Sequence, residues 1–130
     1  MIVRGYQKIG GEVQTIQWLQ EIRRDDPALW AKLVAIVGRF WEVPQPPRDL
    51  PRNSFKREEG EEFDVIRARG RRWWGRVFCC YGPDQSLVLL YTFRKDQDKV
   101  ELIDLENGRA AYRDFRRYRR SVVIWSSRPM

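Results

Sequence analysis

The stretch that decides the fold runs from Phe63 to Phe93: Phe63-Asp-Val-Ile-Arg-Ala-Arg69, Gly70-Arg-Arg72, Trp73-Trp-Gly-Arg-Val-Phe-Cys-Cys-Tyr81 and, after a turn, Ser86-Leu-Val-Leu-Leu-Tyr-Thr-Phe93. Segments rich in β-branched and aromatic residues, punctuated by Gly and Pro, predict three consecutive strands, the first two forming a hairpin. Arg67, Arg69, Arg71, Arg72 and Arg76 sit among Trp73 and Trp74. Guanidinium and aromatic faces side by side suit a phosphate backbone and unstacked bases, which makes RNA or DNA the expected partner. Arg67 and Arg76 share a sheet face if Arg69 pairs with Arg72, and lie on opposite faces if the register slips by one. Trp73 and Trp74, as strand neighbours, point to opposite faces, so one is expected in the core and at most one as a stacking platform.

Upstream, Met1 to Lys8 predicts a short opening strand ended by Gly10-Gly11. Val13, Ile16, Trp18, Leu19 and Ile22 then recur at helical spacing. Asp25 or Asp26 is placed to cap a second helix with Pro27 in its first turn, and Leu29, Leu33, Ile36, Val37 and Phe40 fall on one face. Pro44, Pro46, Pro47 and Pro51 impose an extended connection. The acidic run from Glu58 to Glu62 reads either as a solvated loop or as a brake docked on the chain's own basic groove.

Downstream, Asp104 is expected to cap a last helix reaching about Arg120. Leu105, Gly108, Tyr112, Phe115 and Tyr118 share one side of it, and arginines fill the rest. Ser121 to Trp125 has β character and either joins a sheet edge or waits for a partner. The expected fold class is α+β: a two-helix hairpin packed on a small antiparallel sheet, with a basic C-terminal helix. Residues 1–120 form the expected single domain and residues 121–130 a tail.

The net charge of +7 over 130 residues is uneven. Residues 1–64 carry 10 Lys or Arg against 11 Asp or Glu, and residues 65–130 carry 15 against 7. Twenty of the 25 basic residues are arginine, whose planar fork matches phosphate oxygens and stacks on bases; a GC-rich genome would produce the same bias. Histidine is absent, which excludes His-based triads and His metal ligands. Cys79 and Cys80 are neighbours and make no disulfide framework. No metal or other cofactor is expected. No signal peptide or apolar run of membrane-spanning length is visible, so the expectation is a cytoplasmic protein with no membrane partner and no small-molecule substrate.

The order strand, two helices, loop, three-stranded meander and basic helix, with Asp64-Val-Ile-Arg67, Trp74-Gly-Arg76-Val-Phe78 and Leu89-Leu-Tyr-Thr-Phe-Arg-Lys95, resembles the RelE/ParE superfamily of bacterial type II toxins. The HigB-like, phage-derived branch is the most similar, over about residues 12–120. The resemblance implies a RelE-like fold and a ribosome-dependent mRNA endonuclease restrained by a cognate antitoxin, with ribosome and mRNA as the other partners. ParE relatives act on DNA gyrase instead, so a non-catalytic toxin or a degenerate nucleic-acid-binding module stays open. By this resemblance Arg67 and Arg76 are the strand arginines, Arg94-Lys95 the basic pair after the third strand, and Tyr112, near Arg109 and Arg113, a helix residue of the site.

The sequence departs from the family at three places. Phe63 and Val65 stand where lysines precede the first arginine, Tyr91 stands for a histidine, and Asp96-Gln-Asp-Lys99 replaces a Lys-Thr-Pro lead. Metal-free RNA cleavage needs a base for the 2′-OH, a cation for the pentacoordinate phosphate and an acid for the 5′ oxygen. Arg67, Arg76, Lys95 and Tyr112 are the catalytic candidates. Arg69, Arg71, Arg72, Arg94, Lys99, Arg109, Arg113, Arg116 and Arg117 are the candidate nucleic-acid contacts. A lysine among arginines is expected to have a lowered pKa and so to serve as a base, with Lys99 and Tyr91 as further proton-transfer candidates. The plain alternatives are Arg67 and Arg76 pairing with the acids of Glu58 to Asp64, Tyr91 packed in the core, and a solvated helix face carrying Arg116 to Arg120.

Overall fold

A computed structural model describes residues 1–42, 54–96 and 100–129. The elements in chain order are β1 (Val3–Tyr6), α1 (Gln14–Asp25), α2 (Pro27–Arg39), β2 (Phe55–Arg57), β3 (Asp64–Arg69), β4 (Trp74–Tyr81), β5 (Leu87–Lys95), α3 (Leu102–Tyr118) and β6 (Ser121–Trp125). The fold is α+β, as expected, but the sheet is neither small nor wholly antiparallel. Six strands lie in the order β2-β3-β4-β5-β1-β6, with β1 parallel to β5. The expected tail supplies the edge strand β6, antiparallel to β1. The four prolines lie outside the described residues. β2, with Lys56 and Arg57 exposed, has no apolar alternation to announce it.

The sheet is covered on both faces. Val3, Trp18, Leu19, Ile22, Leu29, Leu33 and Val37 bury one face beneath α1 and α2, together with Ile66, Val77 and Leu89. Phe63, Val65, Phe78, Leu90, Phe93, Ala111 and Phe115 form a second core beneath α3. Cys79 joins the first and Cys80 the second, as period-two alternation requires. Burial pushes the Cys79 thiol well above its usual value and Cys80 to about 12, so neither is a ready nucleophile.

Asp26 caps α2 by accepting from Leu29 N at 3.1 Å, with Pro27 in the first turn. α3 begins at Leu102 with Glu101 as its N-cap, so Asp104 lies inside the first turn rather than capping it. Tyr118, expected on the packed side, is 52% exposed. α3 crosses the sheet closely because Gly108 has no Cβ: one would lie 2.5 Å from the Phe78 ring. Where β1 stops pairing, the Gln14 side chain continues the ladder on β5. Its amide donates to Thr92 O at 2.7 Å, and its oxygen accepts from Thr92 N at 3.1 Å.

Candidate nucleic-acid interface

The β3–β4 register puts Arg67 directly opposite Arg76 and Arg69 opposite Trp74. The expected Arg69–Arg72 pairing is off by two residues, because the connection spans Gly70 to Trp73, closed by Gly70 N donating to Trp73 O at 2.8 Å. An even shift preserves the face, so Arg67 and Arg76 do share one, the face that α3 covers. Both are buried, at 9% and 4% exposure.

The two tryptophans do point to opposite faces, yet neither enters the core; both are half-buried at the hairpin end. On the α3 side, the Arg67 and Arg69 guanidinium carbons lie 4.8 and 5.5 Å from the Trp74 ring. On the other side, those of Arg72 and Arg94 lie 5.0 and 5.8 Å from Trp73. Each cation–π contact is worth about 0.5–1 kcal/mol at an exposed site, enough to hold side chains that would otherwise sample many rotamers.

The hairpin end is pinned to the helices. Asp26 Oδ1 also accepts from Arg71 N at 3.4 Å, and Lys32 Nζ donates to Arg69 O at 2.6 Å. Gly70 permits this approach, since a Cβ there would overlap the Asp26 carboxylate. A cleft of about 550 Å³ results between the α1–α2 corner and the hairpin, lined by Asp25, Pro27, Arg71, Arg72, Trp73 and Arg94 among others.

The remaining candidates lie elsewhere or are engaged. Lys95 lies opposite Trp74 at the hairpin end, next to Arg94, but its ammonium is 3.1 Å from Asp104 and 3.3 Å from Glu101. Burial acts to lower its pKa, but the hydrogen bonds and charges of these carboxylates outweigh that and raise it, opposite to the shift a base needs. Arg109 binds both oxygens of Glu61, and Arg57 takes Asp64 at 3.0 Å. Glu58 is raised by burial, with the charge of Arg76 pulling it down. The acidic run therefore meets the chain's own cations rather than only solvent.

Tyr112 packs 5.9 Å from Phe63, which is four residues, or about 13 Å at 3.3 Å per residue, along the chain from Arg67. Tyr91 is half-buried, stacked on Phe93 at 5.9 Å, with its hydroxyl accepting from Asn107 at 3.1 Å. Arg113, Arg116 and Arg117 are exposed on α3. Arg116 acts on Cys80, six residues or about 20 Å along β4 from Trp74. Lys99 lies outside the described residues. The structure thus gathers Arg67, Arg69, Arg71, Arg72, Arg76, Arg94 and Lys95 at the hairpin end, places Tyr112 against Phe63, and leaves Arg113, Arg116 and Arg117 on the exposed face of α3.

No family model, curated protein or solved structure matches this chain. Among the described residues no cluster of acid, His or Cys side chains is placed to hold a metal ion, and no helix is long and apolar enough to cross a membrane. Asp26 and Lys32, which sequence reading did not connect with the site, position it from the helices; only the capping pattern before Pro27 pointed at Asp26.

Proposed function

We propose that the chain is a RelE/ParE-type toxin that engages ribosome-held mRNA through the hairpin end of its sheet and is restrained by a cognate antitoxin. The observation that carries this reading is the pair of half-buried indoles, one on each sheet face and each flanked by two guanidinium groups. Such platforms accept unstacked bases at about 1–3 kcal/mol each, while the arginines meet phosphates. A strand, two helices, antiparallel strands and a basic helix follow in that order, with β2 and β6 in addition.

In this reading RNA binding uncovers the buried Arg67 and Arg76 so that they stabilise the phosphorane charge, and the ribosome contributes geometry to the proton transfers. A second reading, arrest by occupancy without cleavage, is favoured by one observation: Lys95 is held protonated between Asp104 and Glu101.

Primer extension on a reporter mRNA in a translation extract separates the two readings. Arg76→Ala tests chemistry, and Trp73→Ala tests binding at a site that does not support the core. New ends at ribosomal positions, lost in both variants, are expected for the interferase. Halted translation with intact mRNA selects the second reading. Unimpaired translation removes the ribosomal target.

A further inference from the structure

Asp25 is out of place on a surface built for phosphates. It ends α1 at the lip of the cleft that holds Trp73, exposed, 3.0 Å from the Arg24 Nε and 3.9 Å from Arg94. A hydrogen bond from Arg24 and the charges of Arg24 and Arg94 hold its carboxyl below the usual range despite some desolvation. At neutral pH the cleft therefore offers a carboxylate whose oxygens each keep a lone pair beside their Arg24 and Arg94 contacts, a guanidinium donor next to it, and the Trp73 indole in its lining. Asp26 is buried, with its Oδ1 accepting from both Leu29 N and Arg71 N, whereas Asp25 is exposed and each of its oxygens has one arginine contact.

Among bases, guanine alone presents two adjacent N–H donors on its Watson–Crick edge, N1 and N2, with the O6 acceptor beside them. A carboxylate takes the two donors in parallel, and a neighbouring arginine donates to the oxygen. Adenine, cytosine and uracil each offer a carboxylate one such donor with acceptors beside it, which it repels. We infer that this cleft is a guanine pocket: Trp73 stacks on the base, Asp25 accepts from N1–H and N2–H, and Arg94 donates to O6. The inference rests on the RNA-binding reading and gives it a sequence preference.

Anisotropy of labelled single-stranded decamers tests it, comparing ten uridines with the same strand carrying one central guanosine. The expected result is about tenfold tighter binding of the guanosine strand, the scale of a bidentate base contact. In Asp25→Asn the preference should fall below about threefold while all-uridine binding is kept or strengthened, because a negative charge is removed from a phosphate-binding surface. Asp25 is exposed, so an unchanged melting temperature is expected of the variant.

Equal binding of both strands by the wild type overturns the pocket and leaves RNA binding standing. Binding of neither overturns both. A preference that survives Asp25→Asn overturns the role of Asp25. GMP as competitor separates the sources of guanine: no displacement by millimolar GMP assigns the pocket to RNA. Displacement at the affinity of the decamer makes the free nucleotide its ligand and overturns the RNA assignment.

Discussion

At the hairpin end of the sheet the guanidinium groups are held by strands; at the C-terminal end of α3 they stand on a helix. Both ends pair arginine with aromatic rings. Arg117 and Arg120 lie 5.2 and 4.8 Å from Tyr118, much as Arg67 and Arg69 flank Trp74. The difference is what fixes the ring. The indoles are set by the β3–β4 register and by Asp26 and Lys32 reaching over from the helices. Tyr118 is the last residue of α3, before Arg119 turns to a left-handed φ of 59°. Arg120 is moreover engaged by Asp114 and donates to Gln7 O at 3.4 Å. Arginine density alone would rank the helix end as high as the hairpin; pre-organisation favours the hairpin.

The largest effect that separates the two ends is on stability. Gly70→Val should push the hairpin off Asp26 and cost about 1–3 kcal/mol, the scale of overpacking, read from the urea midpoint. Arg117→Ala should stay within about 0.5 kcal/mol of wild type, as an exposed substitution. A neutral Gly70→Val would mean that the hairpin end is not pinned.

Next comes RNA affinity. Trp73→Ala and Trp74→Ala should each weaken single-strand binding by about 1–3 kcal/mol, with Tyr118→Ala changing it less than about threefold in the same titration. The reverse order would move the interface to α3. Smaller still, Arg71→Ala should reduce the slope of log affinity against log salt by about one, and Arg113→Ala should leave that slope unchanged.

A further effect, confined to alkaline pH, concerns the α3 end as a structural element. Burial and the hydrogen bond to Asp114 push the Tyr6 hydroxyl up to about 12. Its folded-state value is thus above that of an unfolded tyrosine, about 10. The stability it contributes is complete below pH 10 and is lost as pH rises towards 12. Thermal melts across that window should show a shallower alkaline loss in Tyr6→Phe than in wild type.

Much of the fold was legible because it rests on local signals. The α1 and α2 stripes and the cap before Pro27 could be read from spacing, and so could the alternation that sends Cys79 and Cys80 to opposite cores. β2 was missed because three residues carrying Lys56 and Arg57 show no alternation. The role of Ser121 to Trp125 stayed open because an edge strand takes its partner from β1, more than a hundred residues away in sequence. The site was legible only in part. Arg67 and Arg76 were placed on one face by parity, but Lys95 was misread because its carboxylate partners, Glu101 and Asp104, lie at the cap and first turn of α3, beyond the strand.

The sequence by itself determined the residue inventory: an arginine-rich second half without histidine, and a hairpin bearing two tryptophans. Those follow from composition and period-two alternation, which need no knowledge of distant contacts. Only the tertiary structure decided which arginines converge, which carboxylates hold Lys95 and Arg109, and that both indoles stay at the surface. Each of these depends on side chains brought together by sheet register and helix crossing, and electrostatic and stacking energies fall away over the few ångströms that such placement controls.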